Sequence, residues 1–363
     1  IFDLRGNEGD DRREAIQIAD LFLPKDRLIV YEAGRANKDT TLYFTHRQAI
    51  YGEGPLVVLV DGASAGASEI VSGAIQDWDR GLIVGSPTMG RGSIQKESLP
   101  IGPRAKLKLT TRAYFTPSDR PIDRRMRSDS TLLAQSKREF KTRVRNRIVR
   151  GGRGIKPDIA SSPSRRMPLY RQLAEGDGPD GQFARFARQV HLTHPDLTPD
   201  FVADDRILRE FRRLAQEGRF DYVSDVEVLL KRLEEKADEE EEMDRLGKSL
   251  RRLKKEIDRI EEKHWEANEE IIARRLTFDS LEEVFGLGAA YAYDSTVDPQ
   301  ILRAKEVLND PAEYESWFQR LEIGVSDEDV IAAAADTSGL HSHDAGLSGV
   351  GPAGHPEEDG SHH

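Results

Sequence analysis

The sequence predicts an α/β core followed by an α-helical C-terminal domain, and three observations carry that prediction. Short apolar strands alternate with helix-patterned segments through residues 1–160, as in a sheet flanked by helices. From Leu169 to about Asp310 the apolar positions recur at helical spacing instead. Within that stretch Met243, Leu246, Leu250, Leu253, Ile257 and Ile260 step by three and four residues, and Ala267 and Ile271 extend the seam. That heptad stripe predicts one long helix packed along a partner helix.

Taken in order, Ile1–Leu4 reads as the end of a strand, residues 12–22 as a helix, and Leu28–Glu32 and Thr41–Thr45 as strands. Leu56–Val60 is apolar at every position, as a central strand buried on both faces should be. It feeds a small-residue turn, Gly62–Ala67, which opens a helix from Ser68 to about Trp78. A second apolar strand, Leu82–Val84, leads to Gly90-Arg91-Gly92 and an alternating strand, and Ala105–Tyr114 is the last strand of the series. Pro157–Pro168 reads as a linker. Opposite the long helix, Val226, Leu229, Leu230 and Leu233 can supply a second stripe, making an intramolecular hairpin with a solvated face or bend at Glu239–Glu242. A homodimer is the competing use of the same seam. From about Ala332 the chain is Ala, Gly, Ser, Asp and His with little to bury, which predicts a disordered tail. The division is therefore 1–160, 161–330 and 331–363.

Composition narrows the function classes. A hydrophobic fraction of 37% and a charged fraction of 33% accompany no apolar run long enough to span a bilayer. The net charge of −11 is uneven, with 29 basic against 20 acidic residues as far as Arg165 and 25 against 45 beyond it. An Arg-rich run between Arg124 and Arg150 lacks the interleaved aromatics of a nucleic-acid surface and reads as a solvated face, so no nucleic acid is expected. Cysteine is absent, which removes disulfide and thiol chemistry. His191 and His194 have a spacing that suits a metal on a helix, but Thr193 and Pro195 make the stretch loop-like, so neither metal nor cofactor is expected. Gly151-Gly152-Arg153-Gly154 lacks the Lys-Ser/Thr of a phosphate loop and reads as a turn.

The stretch from Val57 to Gln95 resembles the carboxyl-terminal processing, or tail-specific, serine proteases. In that family a Ser-Ala-Ser-Ala-Ser-Glu turn follows the buried strand, and Gly-Lys-Gly-x-x-Gln follows the second strand. Aligned on Ser68-Glu69, the nucleophile position falls on Gly66, the lysine base on Arg91 and the supporting glutamine on Gln95. Gly66 and Arg91 stand 25 positions apart, the family spacing. Asp3-Leu-Arg-Gly-Asn-Glu-Gly-Asp10, Ala105–Ser118 and Val149–Asp158 extend the likeness over roughly 1–160, and a looser one continues to about 312. The resemblance implies a crotonase/Clp-protease-like fold and an oxyanion hole from the N–H groups of Gly9 and Ala67. It also implies an extracytoplasmic location, periplasm or cell envelope, and peptides or protein C-termini as partners. In the family a signal segment, an N-terminal part and a PDZ domain precede this region, so Ile1 reads as a cut end.

The residues present depart from the chemistry of a Ser–Lys dyad. That dyad needs a hydroxyl nucleophile and an amine whose pKa burial can lower. Gly66 has no side chain, and a guanidinium such as that of Arg91 carries only donors and does not act as a base in proteins. Asp10 replaces the second glycine of the oxyanion turn, and its carboxylate disfavours an oxyanion nearby. Ser64 and Ser68 flank the nucleophile position, but each stands two residues away, a displacement that catalysis does not tolerate. They read as turn and cap residues. Lys96 points to the opposite face of its strand from Arg91, Ser93 and Gln95. The expectation is a pseudoprotease. An active serine endopeptidase using Ser64 or Ser68 is the alternative, and a crotonase-like acyl-CoA enzyme, supported by fold analogy alone, is a weaker one.

Overall fold

A computed structural model describes residues 1–34, 40–102, 105–124, 139–161, 168–174, 181–218, 220–320 and 323, and the statements below concern these. The predicted tail and the side chain of Lys96 lie outside them. The core is a parallel sheet in the order β1-β5-β7-β12, formed by Phe2–Asp3, Val57–Val60, Leu82–Gly85 and Ile159–Ala160. Every residue of β5 and β7 is buried, as their unbroken apolar sequence requires.

Side chains alternate across this sheet and feed two separate cores. Val58, Val60 and Ile83 pack with Ala15 and Ala19 of α1 (Arg12–Ala19) and with Ile70, Val71, Ala74 and Ile75 of α2 (Ala67–Asp77). Val57, Leu59, Leu82, Val84 and Ile159 face the other way. There they meet Ala304 and Val307 of α9 (Pro299–Asn309) and Tyr314 and Phe318 of α10 (Pro311–Phe318). Both helices start with Asp caps, Asp298 and Asp310, and a proline in the first turn. The sequence division at residue 160 thus separates segments that share one core. Tyr314 Oη accepts from Leu56 N (3.0 Å) and donates to Leu56 O (3.1 Å), pinning α10 to the entry of β5.

A second, antiparallel sheet runs β4-β3-β9-β8, from Thr41–Phe44, Leu28–Gly34, Ala105–Phe115 and Ser93–Gly102. Two short pairs complete the strands: β2 (Glu8–Gly9) with β6 (Ala65–Gly66), and β10 (Glu139–Lys141) with β11 (Ile148–Arg150). The expected linker is part strand, because Ile159 continues the apolar face of β7 and Asp158 accepts from Ile83 N at 2.7 Å. The first helix stops at Ala19 rather than at residue 22, and the chain turns through Leu23 ahead of Pro24.

The remaining helices are α3 (Pro168–Ala174), α4 (Gln182–Thr193), α5 (Asp205–Glu217), α6 (Asp225–Glu239), α7 (Met243–Phe285) and α8 (Leu287–Val297). Leu169, Phe183, Phe186 and Phe211 form an aromatic-rich core against Ile272 and Leu276 of α7. The heptad stripe does lie on one 43-residue helix, and α6 folds back along it after a bend at Glu240–Glu242, where Glu241 has φ 56°. Burial corrects the expected pairing: of Val226, Leu229, Leu230 and Leu233, only Leu230 is buried, against Leu250 and Ile257. Two helices in contact cover one row of each, and the neighbouring row stays open. Among the described residues no helix is long and apolar enough to cross a membrane.

Candidate active site

The end of β5 sets the site. Asp61 Oδ1 accepts from Gly6 N, Ala63 N and Ser64 N, each at 3.0 Å, which folds the small-residue turn against the Leu4–Asn7 segment. Ser64, fully buried, donates from Oγ to Leu4 O at 2.7 Å. Ser68, also buried, donates to Asn7 O at 2.8 Å and accepts from Asn7 Nδ2 at 2.8 Å. Both hydroxyls that flank the nucleophile position are thus committed to holding the turn.

Gly66 caps α2 with φ 60° and ψ −109°, a conformation that glycine adopts without the strain a side chain brings. It has the character of the sharp strand-to-helix turn that lifts a nucleophile. Gly9 stands opposite it in the β2–β6 pair. A Cβ added at Gly66 would overlap the carbonyl oxygen of Gly9, and one added at Gly9 would come within 2.5 Å of Ala67 Cβ. The two glycines permit the close approach. The atom that faces the side-chain position of residue 66 is an acceptor, where an oxyanion hole needs a donor. Asp10 is exposed and is not among the residues with positive φ, so its replacement of glycine costs no backbone strain here.

Glu69 joins the two halves of the site, a role that the motif alignment does not reveal. Its buried carboxylate accepts from Gly66 N (3.1 Å) and Arg91 N (2.8 Å) on one oxygen, and from Gly90 N (2.7 Å) and Thr88 Oγ1 (2.5 Å) on the other. Burial pushes the carboxyl above its usual range, and these four hydrogen bonds only partly oppose that. Positions 66 and 91 are therefore neighbours through one oxygen atom. A glutamate at the third position of a helix is the capping-box pattern, which was the available sequence sign.

The Arg91 side chain leaves this point for solvent, 44% exposed, and its Nη1 lies 3.2 Å from Glu8 Oε2. Gln95 is exposed on β8. Asp3, Arg5 and Asn7 hold the turn: Arg5 bonds Asp3 and also reaches Asp298 Oδ2 at 2.7 Å and Gln300 Oε1 at 2.9 Å. Within the basic run, the buried Arg147 is taken up inside the fold, pairing with Asp79 and Asp158, both at 2.6 Å; ahead of the run, the buried Arg120 pairs with Asp77. Residues 125–138 of that run lie outside the described residues. His191 sits within α4 rather than in a loop, and His194 is its C-cap. Among the described residues no cluster of three or more His, Cys, Asp or Glu could hold a metal.

Comparison with known proteins fits this geometry. Residues 1–161 match the model of Peptidase family S41, and residues 179–308 match that of the probable PDZ-protease C-terminal helical domain. A carboxy-terminal-processing protease of Bartonella bacilliformis is 41% identical over 122 residues, 34% of this chain and 28% of that protein. The chloroplastic carboxyl-terminal-processing peptidase 3 of Arabidopsis thaliana is 37% identical over 123 residues, 34% of this chain and 23% of that protein. A carboxy-terminal processing protease of Bacillus subtilis is 24% identical over 244 residues, 63% of this chain and 47% of that protein. Among solved structures, a photosystem II D1 C-terminal processing protease aligns with a TM-score of 0.34 at 25% identity, over 44% of this chain and 33% of that one. The match spans 28% and 23% of the length of the first two relatives. Residues 1–161 thus carry the pattern of Peptidase family S41, and residues 179–308 that of a probable PDZ-protease C-terminal helical domain.

Proposed function

We propose that this chain is a carboxyl-terminal-processing-protease homologue without peptidase activity that keeps a site for extended peptides or protein C-termini. The observation that carries the reading is Gly66, which offers no nucleophile and whose Cβ position overlaps the Gly9 carbonyl. Arg91 supports it. A guanidinium carries five donors and no acceptor, so it binds anions and cannot take a proton from a hydroxyl. An active endopeptidase using Ser64 or Ser68 has little geometric support, because both hydroxyls are buried and hydrogen-bonded to backbone carbonyls.

Binding is supported by two neighbouring features. The exposed guanidinium of Arg91 suits a carboxylate, with Glu8 as the group it would leave. Immediately after it, β8 bonds to β9 on one side and is an edge of its sheet among the described residues, which suits strand addition by a peptide. Family likeness supports a location outside the cytoplasm, in the periplasm or cell envelope. Titration calorimetry with apolar-tailed peptides carrying a free C-terminus, followed by mass spectrometry of the same samples, tests this. Binding with intact peptide is expected, and it weakens when the terminus is amidated or Arg91→Ala is introduced. Absence of binding refutes the retained site, and appearance of cleaved peptide refutes the loss of activity.

A further inference from the structure

We propose that the α6–α7 hairpin is an interface between two copies of this chain, which close it into an antiparallel four-helix bundle. The hairpin has two unlike faces. On one, the charged groups of Glu227 and Lys254 pair across the two helices, with Lys231 and Asp258 beside them. On the other, Val226, Leu229 and Leu233 of α6 are 54%, 61% and 48% exposed, and Leu246, Leu253 and Ile260 of α7 are 41%, 44% and 50% exposed.

Helical phase places these six residues on one face. Both rows lie on the same rotational side of the buried contact row (Leu230, Ala237, Leu250 and Ile257) when each helix is viewed from its own N-terminus. Because the helices are antiparallel, that common rotation brings the two rows together on the face away from Glu227 and Lys254. Tyr222 Oη to His264 Nδ1 (2.9 Å) and Ser224 N to Glu261 Oε1 (3.1 Å) fix the register. Val226 then stands level with Ile260, and Leu233 with Leu253. The result is a continuous apolar strip along a hairpin whose own core is four buried residues and Met243.

A second copy is the occupant these features favour. A two-fold axis parallel to the hairpin keeps every residue at its own height, so α6 of one copy meets α7 of the other in the register that the hairpin already has. The apolar layers repeat without a shift, as in a four-helix bundle. The exposed rims also match in charge at three levels. Asp225 faces Lys263, Arg232 faces Glu256, and Glu239 and Glu240 face Arg245, while Lys236 and Arg252 are the one like-charged level. The strip is on the scale of the largest apolar patch of ordinary monomers, about 300–600 Å². With the rims it approaches the roughly 800 Å² per partner of a standard interface.

Sedimentation equilibrium of the whole chain tests the inference. A mass twice the 40.8 kDa of one chain is expected at micromolar concentration. Leu233→Glu with Leu253→Glu, at half-exposed positions, is expected to give the monomer mass with unchanged helical circular dichroism. Arg232→Glu and Glu256→Arg, both at exposed positions, are each expected to weaken the dimer several-fold, and together to restore it. A wild-type monomer at these concentrations overturns the proposal. So does a dimer that the charge reversals leave unchanged, which would place the contact on another surface.

Discussion

At the residue scale, Glu69 and the Gly9–Gly66 pair decide what the site can do. Glu69 gathers three backbone N–H groups and the Thr88 hydroxyl, so the loop carrying position 91 is tied to the turn carrying position 66 whatever side chains stand there. Restoring the dyad as Gly66→Ser with Arg91→Lys must displace the Gly9 carbonyl and hold a side chain at φ 60°, ψ −109°. The pair of changes is expected to cost roughly 1–3 kcal/mol by urea unfolding, the range for overpacking and backbone strain, and to give no turnover. A revertant that is as stable as the parent and cleaves peptide would show that the turn moves freely. The proximity of positions 66 and 91, which meet on Glu69, was legible in the sequence because residue types at a fixed spacing survive any detail of the fold. The direction of the Gly9 carbonyl was not, since neighbouring peptides can face either way without changing a letter. Nor was the convergence on Glu69, which brings together groups 21 and 22 residues apart.

At the element scale, the helices at the C-terminal end of the described chain belong to the chemistry of the sheet. Tyr314→Phe would leave Leu56 N without its acceptor, while Leu56 O keeps the hydrogen bond from Leu82 N (2.9 Å), and a cost of about 1–3 kcal/mol is expected for the one buried donor left unpaired. A change below the error of urea titration would mean that another group satisfies it. Asp298 adds a pH dependence. Burial pushes its carboxyl up, but hydrogen bonds from Arg5 and Ile301 N, with the charges of Arg5 and Arg274, outweigh burial and hold it below the usual range. A depressed carboxyl stabilises the fold above its unfolded pKa, and that stability is lost as pH falls through the lower folded value. Asp298→Asn is therefore expected to lower the urea midpoint at neutral pH and to flatten its fall below about pH 4. An unchanged acid limb would remove Asp298 from the account. The unbroken apolar run of Leu56–Val60 predicted a strand buried on both faces, and both buried faces are found. Which helices cover the second face was hidden, because a strand's pattern does not name its partner. The heptad stripe has the same limit: its period gave the long helix, while the row that meets α6 depends on the rotation of α7 about its own axis.

At the scale of the whole molecule, the chain does not divide into an independent α/β core and a helical appendage. Residues 299–318 close the face lined by Val57, Leu59, Leu82, Val84 and Ile159, and the Arg5–Asp298–Gln300 contacts fasten the turn ahead of Gly9 to the same helices. A fragment ending at residue 161 is expected to aggregate or to lack cooperative thermal unfolding, whereas residues 1–323 unfold in a single transition. A well-folded 1–161 fragment would contradict the shared core. The scaffold thus supports the candidate site from two directions, and the reading proposed for it rests on the glycine and arginine that stand at positions 66 and 91. Labelling with a fluorophosphonate, read by intact-protein mass spectrometry on the whole chain, tests that claim most directly. No adduct is expected under conditions that fully label an active serine protease. Stoichiometric modification of Ser64 or Ser68, accompanied by peptide turnover, would contradict it.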